Sequence, residues 1–130
     1  MTFLGIHHSA IICSDYQRSK RFYTEILGFT IIHEVYREAR QSYKLDLAIG
    51  DDNGGQIELF SFPSPPERPS HPEACGLRHL AFRVASVKET VKELERNGVA
   101  VEPVRQDPYT SKLFTFFQDP DGLPLEIYQQ

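Results

Sequence analysis

The chain has 130 residues and a mass of 14.9 kDa, with 40% hydrophobic and 25% charged residues, the balance of a single soluble globular domain. Fourteen basic against eighteen acidic residues give a net charge of −4, which argues against a nucleic-acid partner, and the sequence offers no apolar run long enough for a membrane span. The N-terminal stretch is broken by His7 and His8 and does not read as a signal peptide, and Cys13 and Cys75 form no CxxC, so the expectation is a reduced, cytoplasmic protein without disulfides.

In chain order, FLGIHHSAIIC (3–13) reads as a strand. Asp15 then caps an amphipathic helix whose inner face is Ser19, Phe22, Tyr23 and Ile26, with Gly28 as its stop. Three strands follow at 29–36, 45–50 and 56–62, the last two joined by the turn-forming DDNGG of 51–55. Residues 63–76 hold five prolines in fourteen positions and read as a connector. The pattern then restarts. LRHLAFRV (77–84) is a strand, and 86–98 is a helix opened by a capping box from Ser86 to Glu89 and closed by Gly98. VAVEPV (99–104), KLFTFF (112–117) and LPLEIYQ (123–129) complete a second β, α, β, β, β series.

The two halves match in detail. His8 precedes Gly28 by 20 residues and His79 precedes Gly98 by 19, while His8 precedes Glu58 by 50 and His79 precedes Glu126 by 47. The expected architecture is α+β: one domain over 1–130, with module 1 at 1–62, the connector at 63–76 and module 2 at 77–130. A lone βαβββ module leaves one sheet face uncovered, so two modules should pair.

Alternation sends successive side chains of a strand to opposite faces. His8, Ala10 and Ile12 therefore share one face, as do His79, Ala81 and Arg83. Ile57 and Leu59 turn to the helix and leave Glu58, Phe60 and Phe62 on the free face; Leu125 and Ile127 likewise leave Glu126 and Tyr128. His7 points away by the same rule. Any one of these polar residues alone reads as an ordinary core histidine or solvated glutamate. The repeat changes that, because two carboxylates in a partly apolar, concave sheet are costly unless a cation sits between them. One divalent metal ion (Ni, Zn, Co or Mn) held by His8, Glu58, His79 and Glu126 removes the cost and leaves positions for water or substrate.

The segments HHSAIICSDYQRSKRFYTEILGF, LRHLAFRV and FQDPDGLPLEIYQ resemble the vicinal oxygen chelate superfamily, which includes glyoxalase I and the bleomycin resistance and dioxygenase proteins. VYREAR, the run IELFSFPSPPERPSHPEACGLRHLAF, and DPYT before FTFF are similar to the YaeR-type glyoxalase I-like metalloproteins. The resemblance implies two paired βαβββ modules forming a curved mixed sheet around one metal, with His8, Glu58, His79 and Glu126 as its ligands. It also implies a homodimer. In bacterial glutathione-dependent glyoxalases an Arg follows the first ligand His by four residues and an Asn follows the first ligand Glu by four. Here Ile12 and Phe62 occupy those places and put apolar walls where glutathione would be bound.

The implied activity is that of a metal-dependent lyase or isomerase of the glyoxalase I type. It would act by proton transfer on a small 2-oxo compound or its thiol adduct, with Glu58 or Glu126 as the base. Two other readings stand beside it: an epimerase-like enzyme of the same superfamily, and a small-molecule or drug-binding resistance protein, which the intact ligand set disfavours. Arg37, Arg40 and Arg83 are candidates for holding an acidic group, and Phe60, Phe62 and Tyr128 for an apolar substrate wall. Cys75, near His71, lacks the signs of an activated nucleophile.

Overall fold

The structure, a computed structural model, describes residues 2–51 and 53–130, so Met1 and Asp52 of the DDNGG turn lie outside the described residues. The chain divides into two compact units, one ending at Glu67 and one beginning at Arg68, a boundary inside the proline-rich connector.

The first unit runs β1 (His8–Cys13), α1 (Tyr16–Arg21), a π-helical turn (Phe22–Ile26), β2 (Thr30–Arg37), a 3₁₀ turn (Glu38–Arg40), β3 (Ser42–Ala48) and β4 (Gln56–Ser61). The second runs β5 (Leu80–Val84), α2 (Val87–Arg96), β6 (Arg105–Gln106), β7 (Leu113–Gln118) and β8 (Pro124–Gln129). Each unit carries a four-stranded mixed sheet of one topology, β1-β4-β3-β2 and β5-β8-β7-β6, in which the first and last strands of the module pair parallel. The α+β class and the repeated βαβββ order are as the sequence predicts.

Local chemistry sets the helix ends. Asp15 accepts from the Arg18 N–H and Ser86 from the Glu89 N–H, as N-caps do. Past α2, Gly98 adopts φ +79° and bonds back to the Glu95 carbonyl, while the Val99 N–H reaches Leu94, the pattern of a Schellman stop. The first helix widens into its π turn after Arg21, and the adjacent Phe22 and Tyr23 are both buried there. Under these helices lie the inner faces of the strands. Leu45, Leu47, Ile57 and Leu59 are fully buried in the first unit, and Val87 and Leu94 of α2 join Leu125 and Ile127 in the second.

Pairing overrides periodicity at several places, and β3, expected at 45–50, runs Ser42–Ala48 because Ser42 already pairs with Arg37 of β2. β1 starts at His8 and not at Phe3, because its first partner is Gln56, at the beginning of β4; Phe3, Leu4 and Ile6 are exposed. β5 starts at Leu80 and not at Leu77, since β8 begins with Pro124, which has no N–H for the ladder. The expected strand at 99–104 is reduced to a single bridge, Val101 to Phe117. Pro103 lacks a donor, and pairing resumes only at Arg105.

Candidate metal centre

In β1 and β4 the residue opposite Glu58 is Ala10, and in β5 and β8 the residue opposite Glu126 is Ala81. Each histidine stands two residues upstream of that alanine, so the methyl group leaves room for the carboxylate to lean toward the imidazole. His8 Nε2 lies 3.4 Å from Glu58 Oε2, and His79 Nε2 lies 3.2 Å from Glu126 Oε1. The glutamate side chains retain only 16% and 13% of their exposure and the histidines 37% and 29%, so each pair is sheltered on one side and open on the other. Neither unit gathers three His, Cys, Asp or Glu side chains into a ligand set among the described residues. Each unit thus brings together one imidazole nitrogen and one carboxylate.

The two pairs have different surroundings. Asp46 stands opposite Glu58 on β3; Lys44 Nζ lies 2.8 Å from Asp46 and 3.9 Å from Glu58. On β7 the corresponding position is Phe116, opposite Glu126, and its ring meets that of His79 edge-on at 5.1 Å. His7 immediately precedes the first residue of β1, and its Nδ1 lies 2.8 Å from His8 Nδ1. Neither the His7 contact nor the Lys44–Asp46 pair was legible in the sequence; the adjacent HH is the one signal that hinted at the first.

The remaining candidates sort by contact. The Arg37 guanidinium carbon lies 5.0 Å from the Phe60 ring centroid and 5.9 Å from that of Phe62, and Arg40 lies 5.3 Å from Phe62. Ile12 is 56% exposed on the face it shares with His8. Arg83 is exposed, opposite Tyr128. Tyr128 is tied to its own unit, donating to Asp107 Oδ2 at 2.8 Å and bonding Thr110. The Thr110 contact draws the phenol's pKa down, but burial and the Asp107 carboxylate outweigh it and hold the phenol above its ordinary value. Neither cysteine is in a disulfide: Cys13 is buried, with its Sγ donating to the Phe60 carbonyl at 3.3 Å, and Cys75 is exposed.

The connector has a structural part that its composition does not reveal. Arg68 donates to the Leu77 and Arg78 carbonyls at 2.8 and 3.1 Å and folds residues 68–78 against the second unit. There they wall a cleft of about 390 Å³ together with His79, Arg105 and Phe116, and Cys75 and Arg78 also line it. One metal-ligand candidate therefore opens onto a cleft of small-molecule size.

The sequence profile of the Glyoxalase/Bleomycin resistance protein/Dioxygenase superfamily matches residues 5–127. The chain is 64% identical to the uncharacterized protein YaeR of Escherichia coli over 96% of its length and 95% of the relative's. It is 60% identical to the uncharacterized protein YwkD of Bacillus subtilis, over the whole of both chains. The crystal structure of a glyoxalase family protein from Enterococcus faecalis superposes with a TM-score of 0.89 at 48% identity, covering 98% of this chain and 99% of that one. More distant relatives, each 26% identical, are a 2-epi-5-epi-valiolone epimerase from an Actinomyces species and a lactoylglutathione lyase from Salmonella typhimurium. They are matched over 78% and 90% of their lengths by 95% and 94% of this chain.

Proposed function

Because the chain belongs to the Glyoxalase/Bleomycin resistance protein/Dioxygenase superfamily, we propose that it is a divalent-metal-dependent lyase or isomerase of the glyoxalase I type. Its substrate is a small 2-oxo compound or the thiol adduct of one. The observation that carries this reading is the repetition of one His–Glu pair at the same register position in both modules. A histidine and a glutamate within 3.4 Å of each other make an ordinary polar contact once. Made twice around an alanine of the same role, they make two halves of a nitrogen–oxygen ligand set suited to Ni, Zn, Co or Mn.

His8 and His79 would hold the ion through Nε2, and Glu58 and Glu126 through a carboxylate oxygen. The ion supplies Lewis-acid polarisation of a substrate oxygen without a change of oxidation state. One of the two glutamates takes the proton from the carbon beside the carbonyl and returns it to the neighbouring carbon, so the reaction is a redox-neutral isomerisation. Phe60 and Phe62, on the face of the sheet that carries Glu58, keep water from that proton while it is on the carboxylate. The epimerase relative favours a second reading in which the same base removes and returns a proton at one carbon.

The reading extends to assembly and location. Phe3, Leu4 and Ile6 are 87%, 101% and 88% exposed, apolar surface that a second copy of the chain would cover in a homodimer. Two cysteines outside any disulfide fit a reducing cytoplasm, and no described helix is long and apolar enough to cross a membrane. The deciding experiment is metal analysis of the purified protein followed by an assay of methylglyoxal with a panel of thiols, using Ni-, Co-, Zn- and Mn-loaded samples. Bound metal with turnover of one adduct supports the proposal. A protein that takes up none of these ions overturns it.

A further inference from the structure

Along the free face of the first unit's sheet, the chain has built more than a ligand pair. Phe60 and Phe62 follow Glu58 by two and four residues, and their rings lie nearly parallel, 6.1 Å apart with 10° between planes. Arg37, at the end of β2, reaches across β3 to stand over both rings, and Arg40 stands over the second. One Nη of Arg37 donates to Ser42 Oγ at 3.0 Å, while its Nε is buried and has no hydrogen-bond partner among the described residues. Among the described residues Arg37 and Arg40 make no ion pair, in contrast to Lys44, which lies 2.8 Å from Asp46 one row nearer the His–Glu pair.

Two cations held on apolar rings, with the Arg37 Nε–H still to be satisfied, present a receptor for a planar anion. We propose that Arg37, backed by Phe60 and Phe62 and assisted by Arg40, binds a carboxylate at the far end of the substrate. The proposal rests on the metal reading above and narrows its substrate. Phe60 and Phe62 stand about 7 and 14 Å beyond Glu58 on an extended strand. A substrate whose reacting oxygens lie at the ligand pair must therefore carry its anion at about that distance, which methylglyoxal alone and short 2-oxo acids cannot do. The selected class is an elongated acid, with an apolar middle section that lies along the two rings.

The test uses the full chain and dicarboxylates of graded length (oxalate, succinate and suberate), in which one end can engage a bound metal and the other can reach outward. In Ni-loaded protein, suberate should bind at least about tenfold more tightly than succinate by titration calorimetry. Arg37→Ala should erase that preference while metal content stays at the wild-type level, and Arg37→Lys should retain part of it. The Arg37 Nε–H resonance, assigned by its loss in Arg37→Lys, should shift saturably with suberate in both loaded and metal-free protein. An unmoved resonance overturns the proposal, and so does a length preference that survives in Arg37→Ala protein with normal metal content. If the wild-type protein takes up no metal, the metal reading falls, and the Arg37 resonance alone decides the anion site.

Discussion

His79 Nε2 lies 3.2 Å from Glu126 Oε1, yet the residue directly opposite Glu126 on the paired strand is Ala81. The contact is diagonal, and it exists because a methyl group occupies the position between. Ala81 is exposed, so Ala81→Leu should change stability by no more than about 0.5 kcal/mol. The larger side chain should push the carboxylate off its histidine and weaken metal binding by at least about tenfold. Parallel melting curves and metal titrations of the variant separate the two effects; equal metal affinity would show that the alanine is incidental.

About one divalent ion should be retained per set of two modules. His8→Ala combined with His79→Ala should release it, and Glu126→Gln should weaken it strongly by removing one anionic donor. Elemental analysis of purified variants reads this directly. Full retention in the double histidine variant would sink the ligand assignment.

Glutathione should be a poor thiol for this protein. Ile12 and Phe62 offer no hydrogen bonds of their own to a tripeptide's amide groups, at about 1–3 kcal/mol for each unsatisfied group. Two such losses in the transition state lower kcat/KM by about 10²- to 10⁴-fold. A spectrophotometric assay with the glutathione–methylglyoxal adduct should show weak or absent turnover with metal bound; rates ordinary for an enzyme would show that the apolar walls are harmless.

The exposed Phe3, Leu4 and Ile6 should be covered in a homodimer at micromolar concentration. Light scattering should return about twice the 14.9 kDa of one chain. A monomer at that concentration would remove any version in which two chains share a site.

Acid stability should depend on Glu34. A hydrogen bond from Lys20, then one from the Tyr16 hydroxyl, lower its pKa below the ordinary 4.5. The unfolded chain takes up that proton first, so the contribution is present above pH 4.5 and is lost as pH falls through the folded-state value. The carboxylate is partly exposed, which limits the contribution to about 1 kcal/mol or less. Urea denaturation between pH 7 and pH 3 should therefore show a shallower loss of stability in Glu34→Gln than in the wild type. Equal slopes would mean that the Lys20 contact does not persist in solution.

What short-range physics controls is legible in the order of the residues. The N-caps at Asp15 and Ser86, the glycine stop at Gly98, the repeated βαβββ order and the face on which His8, Glu58 and Glu126 fall all follow from residue type and period. Those features depend on residues a few positions apart, and a chain carries such information in its order. Tertiary structure decided where pairing begins and ends, and which side chains meet across it. VAVEPV has the composition of a strand, but Pro103 has no hydrogen to give Phe117's strand, so only Val101 pairs. Arg37 over Phe60, Lys44 beside Glu58 and the diagonal from His79 to Glu126 depend on register between strands far apart in sequence. Register is set by the summed burial and hydrogen bonding of whole strands, and no local pattern contains that sum.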